Sequence, residues 1–173
     1  MSGSARLRLR AFVGAAAAAA ACLAWTGGAA APAQASTTCI WGGTPAAPTG
    51  VFTVSPGLTN IPSASPSDFT ATGHLGGACS GYMTFRGRIG AGATCSDGTF
   101  AGSVTGLPGV IRFEGFDFAG LAPSRLYDRA GNLVGSENAQ LLTTDNAPFA
   151  SCGTTEGFTR GTFSSVMELF GDR

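Results

Sequence analysis

Residues 79–107 read CSGYMTFRGRIGAGATCSDGTFAGSVTGL, two extended segments joined by a glycine-rich turn, with a cysteine near the start of each. Cys79, Gly81, Met83, Phe85, Gly87 and Ile89 are small or apolar, and Ser80, Tyr82, Thr84, Arg86 and Arg88 between them are polar or amphipathic. A period of two marks a strand with one buried and one wet face. Gly90 and Gly92 supply the reversal, and the second segment sets Phe100 and Val104 against Thr99 and Ser103. Paired as a hairpin, the segments place Cys79 and Cys95 at opposite ends, because antiparallel partners run in opposite directions. That separation is beyond the reach of a disulfide, so each cysteine needs a partner elsewhere.

Working outward, Asp68 to Leu75 alternates as well, with Phe69, Ala71, Gly73 and Leu75 against Asp68, Thr70, Thr72 and the chain's single histidine, His74. The polar side of a strand predicts a solvated His74. Gly106-Leu107-Pro108-Gly109 is a turn, and Val110 to Phe118 is extended again. The apolar pattern breaks at Gly115, which predicts a bulge. Glu114 and Asp117 then read as separate surface charges, one of them opposite an arginine. Leu126 to Val134 carries Asp128, Gly131 and Asn132 between two apolar arms, the chemistry of a second hairpin. A last long strand covers Gly157 to Leu169, with Gly161, Phe163, Met167 and Leu169 on one side.

The N-terminus carries Arg6, Arg8 and Arg10, then an alanine-rich run through Ala24, then Ala33-Gln34-Ala35. A basic region, an apolar region and an A-x-A site in this order describe a secretory signal peptide. The apolar run is shorter than the roughly 20 residues a spanning helix needs. Cleavage is expected after Ala35, so residues 1–35 are the signal peptide. The mature chain has one domain's length: residues 36–66 as a Pro-rich arm of that domain and residues 67–173 as its body. Five of the chain's nine prolines lie in the arm, and proline cannot donate to a ladder. Only short edge pieces are expected there, Cys39 to Trp41 and Val51 to Val54.

Cys22 leaves with the signal, so Cys39, Cys79, Cys95 and Cys152 remain. An even number in an exported chain points to two disulfides. With Cys79–Cys95 disfavoured, two connectivities stay open. Cys39–Cys79 with Cys95–Cys152 is preferred over Cys39–Cys95 with Cys79–Cys152. Zinc is disfavoured by the absence of C-x-x-C and the single histidine, and no metal or other cofactor is expected.

Helical periodicity with caps is absent after the signal, and the 23 glycines there argue against long helices. Short, regularly spaced strands with glycine turns predict an all-β fold, a small antiparallel β-barrel or sandwich of about eight strands stapled by disulfides. Gly73, Gly81, Gly87 and Gly161 on the apolar faces suit strongly curved strands and favour the barrel.

Composition excludes more than it identifies. After the signal, seven arginines face ten carboxylates, a net charge of −3, and no basic stripe is present to track a phosphate backbone, so no nucleic-acid partner is expected. Arg86, Arg88, Arg112 and Arg160 are read as ordinary surface charges. The chain has no lysine, which removes Schiff-base chemistry. An alanine-rich leader before a lysine-free Gly/Thr/Phe chain resembles exported proteins of GC-rich Gram-positive bacteria. This likeness is one of composition and carries over no functional residue.

Enzymatic readings are restricted to carboxylates, or to His74 with a serine, and neither G-x-S-x-G nor H-E-x-x-H is present. The densest set of hydrogen-bonding side chains is 135–142, where Glu137 shares a face with Ala139 and Leu141 while Asn138 and Gln140 share the other. Asn138 and Gln140 are candidate ligand residues. Trp41, beside Cys39, is either a third, as an exposed stacking platform, or packing for the disulfide. The expectation is a secreted, extracellular module for a small-molecule or carbohydrate ligand, without a membrane span once the signal is gone. The alternatives are a secreted carboxylate-dependent hydrolase and a cell-surface structural or interaction protein without catalytic activity.

Overall fold

The computed structural model describes residues 36–142 and 150–171; the expected signal peptide and its cleavage site at Ala35 lie outside them. The described residues form eleven strands: β1 (Ser36–Trp41), β2 (Gly43–Thr44), β3 (Ala47–Pro48), β4 (Gly50–Leu58), β5 (Ser67–Gly77), β6 (Gly81–Ile89), β7 (Asp97–Thr105), β8 (Arg112–Phe118), β9 (Leu121–Tyr127), β10 (Leu133–Leu142) and β11 (Phe158–Phe170). From β4 to β11 each strand pairs antiparallel with the next, and β11 returns to pair with β4. The result is a closed eight-stranded barrel. Closure removes the free edges that an open sheet would expose.

The closing position is shared by two strands. The first half of β11 pairs with β4 (Phe163 opposite Gly50), and its second half pairs with β1 (Ser165 opposite Trp41, Phe170 opposite Ser36). β1 in turn reaches β5 at Gly76 and Leu75. Residues 36–66 thus contribute more ladder than their prolines predict. Pro56 is accommodated because it falls in an irregularity, where β4 runs from Thr53 to Leu58 while β11 runs from Arg160 to Phe158. No ladder donor is required there.

The two disulfides are Cys39–Cys79 and Cys95–Cys152, at opposite ends of the β6–β7 hairpin. The β9–β10 turn forms as its residues predict. Asp128 accepts from the Asn132 backbone N–H at 2.8 Å and from Asn132 Nδ2 at 3.0 Å. These hydrogen bonds hold the Asp128 carboxyl below its ordinary pKa.

Alternation delivers one aromatic core along the barrel axis. Phe113 stacks on Phe85 with centroids 4.1 Å apart and meets Phe69 at 5.8 Å. Trp41 lies 4.6 Å from Phe85 and 4.4 Å from Phe163. Phe52 bridges Phe69 and Phe158. The lower end, where β5–β6, β7–β8 and β9–β10 turn, is packed with buried Met83, Leu107, Val110, Leu126, Met167 and Leu169.

Two sequence expectations for β8 change. No bulge occurs at Gly115: the β7–β8 and β8–β9 registers pass through it unshifted. Glycine stands there because a Cβ would come within 2.3 Å of the Pro123 carbonyl oxygen and 2.7 Å of the Phe100 ring, so Phe100 occupies the space a side chain would need. With alternation unbroken, Glu114 is the outer charge, opposite Arg125. Asp117 is an inner residue near the upper end of the barrel.

Candidate functional site

Inward-facing residues of β10 carry the site, and their phase comes from a bulge. Leu133 pairs with Tyr127, but Gly135 pairs with Leu126, so Val134 is the extra residue. A one-residue slip exchanges the two faces of a strand. It turns Gly135, Glu137, Ala139 and Leu141 into the barrel; without it Glu137 would face solvent.

Glu137 is therefore a carboxyl inside an apolar barrel, 3 % exposed. Ser124 stands directly opposite it on β9, and Ser124 Oγ donates to Glu137 Oε2. Ser165 of β11 is its diagonal neighbour, two residues from the direct partner Met167, and Ser165 Oγ donates to Glu137 Oε1 at 2.5 Å. Burial raises the Glu137 pKa from 4.5 to about 7, against the lowering effect of the two serine hydroxyls. Desolvation outweighs both because the surroundings are mostly hydrocarbon.

Glu137 borders a cavity of about 60 Å3 in the upper half of the barrel. Six rings line it, those of Trp41, Phe52, Phe69, Phe85, Phe100 and Phe163, and Asp117 and Thr94 stand toward the mouth. Asp117 Oδ1 accepts from the Gly120 backbone N–H at 3.2 Å. The rim is laced: Asn60 N–H donates to Cys152 O at 3.0 Å, Cys95 N–H to Thr59 O at 2.9 Å and Gly92 N–H to Ser63 O at 2.8 Å. The Cys95–Cys152 disulfide crosses the same end.

The three ligand residues expected from sequence separate. Trp41 is inside, 1 % exposed, and its Nε1 donates to the Gly73 carbonyl at 3.2 Å. It is packing for the core and, at the same time, wall of the cavity. Asn138 and Gln140 are exposed on the outer face of β10. The β10 backbone itself therefore stands between them and the cavity. On the outer side they border a groove of about 240 Å3 beside the β2–β3 hairpin. Asn138 also borders an open hollow of about 830 Å3 across β7–β10, with Arg88, Glu114, Phe116 and Arg125. Phe116 is 53 % exposed there, and Glu114 accepts from Tyr127 Oη. Arg88 is held by Asp68 at 3.0 Å, and Arg112 lies over the Tyr127 ring at 4.6 Å. His74 is exposed, its ring edge-on to Tyr82.

Sequence reasoning grouped Glu137 with Ala139 and Leu141 but did not make it a site residue. The available signal was a charged residue in phase with apolar neighbours. Among the described residues there is no group of three or more His, Cys, Asp or Glu able to hold a metal ion, and no helix is long and apolar enough to cross a membrane. Comparison with known protein families, with curated proteins and with solved structures gives no match.

Proposed function

We propose that the chain is an exported small-ligand-binding barrel that holds its ligand in the lumen against Glu137. The observation that carries this reading is a buried carboxyl bordering an aromatic cavity, with a serine hydroxyl on each oxygen and a wall that is apolar apart from Thr94 and Asp117. Such a site has few polar groups and fixes the orientation of what enters it. Export is supported by the leader at residues 1–35 together with two disulfides, which persist in oxidising compartments. The lumen is favoured over the outer hollow because Glu137 lies where desolvation strengthens every polar contact, whereas Asn138 and Gln140 are already solvated.

A carboxylate-dependent hydrolase is the second reading, because Asp117 shares the lumen with Glu137. The cavity's size opposes it, since a glycosidic or peptide bond with both of its flanking units does not fit in about 60 Å3.

Native mass spectrometry of the protein taken from its own culture medium tests the proposal. The expected mass is that of residues 36–173 less four hydrogens, plus a ligand that leaves on denaturation. A chain retaining residues 1–35 would overturn export. A bare chain that also binds no small molecule on titration would overturn the binding function.

A further inference from the structure

We infer that the lumen site is built for a small organic cation, an alkylammonium of a few carbon atoms; this rests on the lumen being the ligand site. Aromatic rings present negative faces, and cations are attracted to them when both are out of water. Six rings surround the cavity, and its two titratable residues, Glu137 and Asp117, are both acids. Among the described residues no arginine lines it, the chain has no lysine, and His74 is on the outer wall. None of the described residues that line the lumen is cationic, so Glu137 borders a ring-lined space that offers it no positive group.

Hydrogen-bond capacity points the same way. An ionised carboxylate has about four acceptor sites. Ser124 and Ser165 fill one on each oxygen of Glu137, which leaves further acceptor capacity on both. An ammonium group offers N–H donors and a full charge, which makes the bond charge-assisted. Neutral alcohols offer one donor and no charge, and carboxylates would be repelled.

Volume limits the size. A cavity of about 60 Å3 lies between the roughly 10–15 Å3 that holds one water and the roughly 150 Å3 that holds benzene. That range fits about three or four non-hydrogen atoms.

Groups that touch Glu137 or share the lumen with it are Ser124 from β9, Ser165 from β11, Asp117 from β8 and the rings of β1, β4, β5, β6, β7 and β11. The titratable ones are Glu137 itself and Asp117. Binding of a cation is therefore strongest when Glu137 is ionised and weakens as it takes up its proton.

The test is isothermal titration calorimetry of the disulfide-bonded protein at pH 8 with n-propylammonium chloride, n-propanol and sodium propionate, three probes of nearly equal size. The expected result is propylammonium at least tenfold tighter than propanol and no binding of propionate. Affinity for propylammonium should fall about tenfold between pH 8 and pH 6. Glu137→Gln, with folding checked by circular dichroism, should lose the tenfold preference and keep whatever affinity the alcohol has. Propanol binding as tightly as propylammonium would overturn the cation and leave the lumen site standing. Failure of all three probes would overturn the lumen site itself. Propylammonium binding unchanged in Glu137→Gln, or unchanged between pH 8 and pH 6, would remove Glu137 as its partner and overturn the inference.

Discussion

Replacing Glu137 by glutamine should change how stability depends on pH, and the sign follows from the burial of the carboxyl. In the unfolded chain the group titrates near its ordinary 4.5, and in the folded protein near 7. Below pH 4.5 both states are protonated and the group contributes no penalty. Between pH 4.5 and 7 the unfolded chain releases its proton while the folded protein retains it, so stability falls by about 1.4 kcal/mol per pH unit. Above pH 7 both states are ionised and the loss levels off. The total is about 3 kcal/mol, a large fraction of the roughly 5–15 kcal/mol that holds a domain together. Glutamine keeps the shape, still accepts from a serine hydroxyl and does not titrate. Urea unfolding of both proteins from pH 4 to pH 8, without organic cations in the buffer, measures it. The wild-type stability minus that of Glu137→Gln should drop by about 3 kcal/mol across that range, since the other carboxyls cancel in the difference. A difference that stays flat would mean Glu137 is solvated and the account of the lumen is wrong; one that rises would mean a hidden positive partner.

Phe113→Ala removes a fully buried ring that stacks on Phe85 and meets Phe69; a loss of about 3–5 kcal/mol in denaturant unfolding is expected. Cys95→Ser opens the disulfide to Cys152, which spans 57 residues, and should lower stability by about 2–5 kcal/mol; an unchanged melting temperature would count against the framework. Gly115→Ala places a methyl against the Pro123 carbonyl and the Phe100 ring and should destabilise by about 1–3 kcal/mol, whereas an exposed bulge glycine would tolerate it.

Local chemistry and the barrel class were legible; which strands close the barrel was not. Phe69 to Leu75 and Met83 to Ile89 show their inner face by simple alternation, and the hairpin they imply forces Cys79 and Cys95 apart, which narrows the disulfides. Asp128 and Gly131 mark their turn through hydrogen bonding and backbone freedom. By contrast, β1 and β4 share one place in the barrel only because β11 is long enough to serve both, a long-range fact with no local signature. Gly115 looked like a break because its missing side chain is replaced by Phe100 from another strand. The site itself was half visible: Glu137 in phase with Ala139 and Leu141 was readable. That this face points inward depends on the extra residue Val134, which alternation alone does not assign. Trp41 was read as either platform or packing, and it is both packing and cavity wall.

The seam formed by β11 also orders events in the life of the chain. Ser36 must find Phe170, and Gly50 must find Phe163, so of the described strands the earliest made wait for the last. A ribosome or a translocation channel still holding β11 holds a sheet that cannot become a cylinder. Non-local pairing of this kind is slow to form. On the export route proposed above, that delay would be an advantage: the chain would stay threadable until its final strand is through.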